Sequence, residues 1–509
     1  MEIEEPLNSA NTPALPGVTP SERYLGQLAR RSFLTLWSYT NLFTNEGQKN
    51  GGDGKELCDL LIVFDNYILL FSDKHCNYPE HQDIKIAWSR WYKRAVQKSV
   101  NQLLGAESWL RRFPDRVFLD SHCTRPFPLP IPDIKNACFH RIAVTRGAYT
   151  KCREFFGGRS TGSLMIDTCV YGADHFSKPF TIGHVAPQKG YIHVLDELTL
   201  NVVLREMDTI TDFISYLQKK EALLTKPECT VLATGEEQLV AMYQTGLNKN
   251  SEHDFPEIPD HIKGLFIDEG QWEEFIRNPQ YLAKKEADRV SYVWDNLIEH
   301  FIKGSNRATG TNMRDNELAL RVMASEPRMR RRQLATQLLD VLRQKVEPGK
   351  RLTRLGISDY FPDNAYVFLI LPCPDFVKSY EEYREGRKAM LLACCKVAKL
   401  RAPKAKRIVG MATEPGGTKG ASEDLLLLET NGDGWTVEHA KEAKELQEKL
   451  CILKNESTTY YETRDKEYPN VDPTPTPPIA PGLIKPDQYL NRAQRRTLDK
   501  KRRNTLVKS

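Results

Sequence analysis

No stretch of this 509-residue chain approaches the roughly 18 or more consecutive apolar residues of a membrane-spanning helix. The opening MEIEEPLNSANTPALPG is acidic and proline-bearing and lacks the basic-then-apolar layout of a signal peptide. The eleven cysteines form no CxxC pair, and Cys394 and Cys395 are adjacent. Such a scattered, odd set argues for buried thiols in a reducing cytoplasm and against a disulfide framework or a cysteine zinc site. Nucleotide-binding fingerprints are missing as well. The glycine-rich stretch ATEPGGTKGASED has neither GxxxxGK[ST] nor GxGxxG spacing and reads as a surface loop.

Charge, by contrast, is plentiful and unevenly placed. Charged residues make up 27% of the chain and the net charge is +5. Residues 491–509 hold eight Lys/Arg and one Asp, so the rest of the chain sums to −2. The tail NRAQRRTLDKKRRNTLVKS follows a proline-rich segment centred on PTPTPPIAP, which reads as an extended linker. Nucleic acid is its expected partner, through Arg492, Arg495, Arg496, Lys500, Lys501 and Arg502, because cations that neutralise phosphates release counterions whatever the sequence. A tail that only keeps the protein soluble, or that docks an acidic protein, is the other reading.

The most informative stretch is Gly54 to Cys76, GKELCDLLIVFDNYILLFSDKHC. Two apolar arms rich in Val, Ile, Leu and Phe flank Asp65-Asn66, a two-residue hairpin signal. With Phe64 and Tyr67 bracketing the turn, Asp59 falls opposite Ser72, and Leu57 opposite Lys74. Alternation then puts Asp59, Ser72 and Lys74 on one face with Leu61, Val63, Ile68 and Leu70. An acid and a lysine on an apolar face are costly unless paired or in use. A carboxylate there can hold Mg²⁺, and a neighbouring lysine can orient water and stabilise charge on a phosphate oxygen.

This hairpin resembles the PD-(D/E)xK, or restriction-endonuclease-like, nuclease superfamily, whose pattern is an acid on one strand and acid-x-Lys on the next. The resemblance covers about the first 150 residues. Asp59 matches the first acid and Lys74 the lysine, while Ser72 stands where the family has Glu or Asp. The resemblance implies metal-dependent hydrolysis of a phosphodiester, with Mg²⁺ or Mn²⁺ as cofactor and DNA favoured over RNA. Glu22, in the capping box T-P-S-E that opens the first helix, is the candidate to replace the missing carboxylate. Asp73, brought round by a bulge, is the other. Gln102, on the apolar stripe of a long helix over residues 84–112, is expected on the substrate side. A nuclease head on a large body is also similar to bacterial anti-phage effectors, in which a partner protein or a second copy controls cutting. A catalytically silent binding or scaffold subunit is the alternative, because Ser72 breaks the pattern.

The expected fold class is a multidomain α/β and α+β protein. It comprises a disordered 1–18, a restriction-endonuclease-like α-β-β-α-β core at 19–150, a mixed middle region at 151–350, a C-terminal α/β unit at 351–467, a linker at 468–490 and the tail at 491–509. Residues 40–55 read as a Gly/Asn-rich loop with Glu46 and Asp53 as weaker acid candidates. Glu56 lies on the opposite face from Asp59 in a regular strand, unless the strand begins late. His175, His184 and His193 fit no compact ligand spacing and read as core or surface histidines. The run Arg328, Arg330, Arg331 and Arg332 reads equally as a phosphate-binding cluster and as an exposed helix start.

Overall fold

The computed structural model describes residues 20–470, apart from 51, 159, 250–251, 306–311, 375, 378, 419–421, 455–458 and 460–465. The 1–18 segment, the basic tail and nearly all of the linker therefore lie outside the described residues. The chain is mixed α/β, and its contacts divide it after Asn278.

The first unit is organised on a six-stranded sheet. Helix α1 (Pro20–Phe33) starts on Pro20, whose fixed φ suits a first helical turn, and buries Leu25, Ala29 and Phe33. It leads into β1 (Ser38–Thr44), β2 (Lys55–Phe64) and β3 (Tyr67–His75), which form an antiparallel meander. Phe64 pairs with Tyr67 across the turn, and Asp65 takes a left-handed φ of 51°. A helix then crosses over the sheet as α2 (Ile84–Tyr92), a π turn at Lys93–Gln97 and α3 (Lys98–Arg112). After β4 (Val117–Phe118), which pairs with β1 at the sheet edge, comes β5 (Cys138–Arg146), parallel to β3. The crossover helix buries Trp88, Trp91 and Leu103 against Leu61, Val63, Ile68 and Leu70, and the opposite face of the hairpin is buried as well, with Phe71 against Phe33 and Phe213.

One local expectation fails here. The segment read as a loop from residue 40 begins with strand β1. Asn41, at φ 54°, gives it a turn-like composition, yet the strand is held by pairing to β2. Residues 179–195 hold two strands, β7 (Thr181–His184) and the start of β8 (His193–Asp196), which belong to different sheets. Strand β8 lies beyond residue 150 but pairs parallel with β5 and closes the sheet order β4-β1-β2-β3-β5-β8.

The rest of the unit holds α4 (Tyr149–Phe156), β6 (Met165–Tyr171), α5 (Glu197–Glu206), α6 (Ile210–Leu224), β9 (Thr230–Ala233), α7 (Glu236–Thr245) and β10 (Gly264–Ile267). Strands β10-β9-β6-β7 make a second sheet. The second unit, described by itself, carries a four-stranded sheet with one parallel pair and a core of Val367, Leu369, Leu391, Val397 and Ile408. Its arginine run is buried rather than open to phosphate. Arg328 donates to Asp295 at 2.8 Å, Arg331 to Asp295 at 2.6 Å and Arg332 to Asp288 at 3.2 Å. Arg330 is only 1% exposed.

Candidate functional site

The site lies where β2 and β3 run out of ladder. Their pairing ends at Leu60 and Phe71, and one step on the Asp59 carboxylate takes over from the backbone. Asp59 Oδ2 accepts the Asp73 amide at 2.5 Å and faces Lys74 Nζ at 3.4 Å. Asp59 is buried, whereas the Lys74 side chain is 30% exposed, so the lysine reaches from solvent to a carboxylate anchored in the sheet.

A carboxylate the pattern assigned to the other face joins them. On β1, Leu42 pairs with Cys58 but Phe43 pairs with Glu56, so Leu57 is the extra residue of a β-bulge. One inserted residue resets the alternation and brings Glu56 round to Asp59, with which it shares a hydrogen bond. Glu56 is exposed as a residue, yet its carboxyl is pushed up to about 7. Desolvation leads, followed by the charge of Asp59 and the shared hydrogen bond. Lys74 pulls the other way, and the charge of Glu22 adds to the push. Glu22, in the first turn of α1, is therefore within electrostatic reach of the pair.

Ser72 turns to the same face and donates to Gln102 Oε1 on α3 at 2.8 Å, leaving the Gln102 NH₂ as its remaining donor. Ser99, one turn earlier, is satisfied by the Ala95 carbonyl. Asp73 points elsewhere. Strand β3 pairs without interruption with β5 through Asp73, so the bulge is in β2 and not here. The Asp73 carboxylate is gripped by Arg146 through Nε and Nη2, both at 2.9 Å. Burial pushes Asp73 up against the pull of Arg146. Gly147, next along, has a φ of 95°, and the Cys76 carbonyl occupies the space of a side chain, so both conformation and contact require glycine.

Glu46 pairs with Lys55, and Asp53 with His122, on exposed surface. His175 is satisfied on both ring nitrogens, by the Gly172 carbonyl and the Gly183 amide, and His184 stacks on Tyr171. The tail cations Arg492, Arg495, Arg496, Lys500, Lys501 and Arg502 lie outside the described residues. Among the described residues no helix is long and apolar enough to cross a membrane.

No family model matches the chain, and neither the curated proteins nor the solved structures return a match.

Proposed function

We propose that the first unit is a metal-dependent nuclease of the PD-(D/E)xK kind, hydrolysing phosphodiester bonds of nucleic acid, DNA in preference to RNA. The observation that carries this reading is the meeting of Asp59, Glu56 and Lys74 at one end of the hairpin, with Glu22 within electrostatic reach. The element order supports it. A helix precedes an antiparallel hairpin, and a long helical crossover returns to a strand parallel with the lysine strand.

The donors are all oxygens, which suits Mg²⁺ or Mn²⁺. Glu56 and Asp59 share a hydrogen bond between two acids, an arrangement in which a proton stands where a divalent cation would. Asp59 and Glu56 would hold the ion, with Glu22 as third ligand. When bound, the ion supplies an activated water and neutralises charge on the phosphate. Lys74 orients the attacking water and balances charge developing on a non-bridging oxygen. Gln102, turned by Ser72, donates on the substrate side. Asp73 does not ligate; through Arg146 it fixes the end of β5 against β3.

One observation favours a silent nucleic-acid-binding head instead. Among the described residues, the trio of acid, His or Cys ligand atoms found within 4.8 Å of one another lies elsewhere, so Glu22 must swing inward to complete the set. Cleavage of plasmid, linear duplex, single-stranded DNA and RNA with Mg²⁺ or Mn²⁺ separates the two. Activity lost in folded Asp59→Asn, Glu56→Gln and Lys74→Ala supports the nuclease. Binding without cutting supports the silent head. Cutting that survives all three substitutions defeats the site assignment.

A further inference from the structure

At the far end of the same sheet, three side chains from three elements converge with little to bond. His140 is on β5, His193 on β8 and Glu221 on α6, and one ligand atom from each lies within 4.8 Å of the other two. The histidines are 2% and 1% exposed. Among the described residues, His140 Nδ1 and both ring nitrogens of His193 lack a hydrogen-bond partner. His140 Nε2 faces Cys138 Sγ at 3.7 Å. Buried polar groups are nearly always paired, and His175 in the same unit has both its nitrogens satisfied. Three orphaned imidazole nitrogens in one place therefore ask for a ligand.

We propose that His140, His193 and Glu221 form a binding site for a divalent transition metal of the zinc class. Imidazole and carboxylate are donors that Zn²⁺ takes in tetrahedral sites, where three protein ligands can leave the fourth position to water. The cations facing His193 are Lys220 and Arg141. Lys220 is neutralised by Glu236 at 2.6 Å and Arg141 by Glu107 at 3.2 Å. Glu221 supplies the negative charge that the incoming ion needs.

The site stands apart from the hydrolytic one. His140 is level with Leu69, and Asp73 lies four residues further along β3, about 13 Å at strand rise. His140 also faces α6, on the side of the sheet away from α3. An ion here would tie β5, β8 and α6 together, which is a structural role.

The full chain, purified without chelator, is assayed for bound metal by mass spectrometry, stripped, and titrated with Zn²⁺ alone by calorimetry. The expected result is a single tight Zn²⁺ per chain and a thermal midpoint that rises with Zn²⁺ concentration. Co²⁺ in its place should give the visible bands of a tetrahedral ion. His140→Asn and Glu221→Gln should weaken Zn²⁺ by at least the roughly 10- to 100-fold that even outer-shell partners contribute. Asp59→Asn should leave it unchanged. Glu221 is the least buried of the three, so its variant remains informative if a histidine variant fails to fold. A folded wild type that takes up no Zn²⁺ overturns the proposal. So does uptake equally tight in Glu221→Gln and His140→Asn.

Discussion

Glu56 owes its place to one inserted residue. Without Leu57 in the bulge it would face away from Asp59, and the acid-and-lysine end of the hairpin would hold a single carboxylate. Two acids held together repel when both are charged, so the arrangement is a standing cost in the absence of a cation. Glu56→Gln should therefore raise the thermal midpoint slightly and, if the first unit is the proposed nuclease, lower metal-dependent cleavage by about 10²–10³-fold, the scale of a lost electrostatic stabiliser. Lys74→Ala should lower cleavage on the same scale without any gain in stability. Melting curves and single-turnover cleavage, run on the same preparations, check both. A Glu56→Gln enzyme with full activity would remove Glu56 from the site.

At the scale of elements, the hairpin was legible because a two-residue turn transmits its register. With Phe64 opposite Tyr67, each later pair follows, and Ser72 and Lys74 come up on the Asp59 face. What stayed hidden depends on partners distant in the chain. The bulge exists only in the pairing of β2 with β1, and β1 was itself disguised by Asn41. The histidine cluster joins residues 140, 193 and 221 through two crossovers, which no local spacing records. Helix α7 shows no apolar stripe because it is buried on every side, acids included. Its Glu237 accepts from Thr161 at 2.6 Å and Ser163 at 2.8 Å, and is pushed up to about 7 by desolvation, with Asp196 adding to the push. The folded value lies above the unfolded one, so this group's stabilisation is full below about pH 4.5 and is lost as pH rises through about 7. The loss should be on the order of 3 kcal/mol. Urea midpoints at pH 5 and pH 8 should show the fall in wild type and a flatter response in Glu237→Gln. The arginine run on the helix Arg328–Arg343 makes the opposite point, since three members of a basic cluster in sequence, Arg328, Arg331 and Arg332, are in buried ion pairs in space. Arg331→Ala leaves the Asp295 Oδ1 pairing and two carbonyls unanswered, and should cost roughly 3–5 kcal/mol. Its affinity for nucleic acid, measured on the folded fraction, should not change.

At the scale of the whole molecule, the basic character sits in the tail, because the chain outside 491–509 carries a net −2. If the first unit cuts nucleic acid, most of the non-specific attraction must come from that tail, and attraction of this origin is sensitive to salt. Each phosphate neutralised on duplex DNA contributes about 0.9 to the slope of log affinity against log salt. A chain ending at Leu490 should therefore bind a linear duplex more weakly at low salt and show a slope smaller by several units. Cleavage at saturating substrate should persist, because Asp59, Glu56 and Lys74 remain, so the loss should appear in KM and not in kcat. Fluorescence anisotropy across a salt series, paired with steady-state cleavage by the two chains, measures both quantities. An unchanged slope would assign the tail to a protein partner and shift the search for phosphate contacts to the surface around Lys74. A fall in kcat would mean that the tail takes part in placing the scissile strand over the carboxylates.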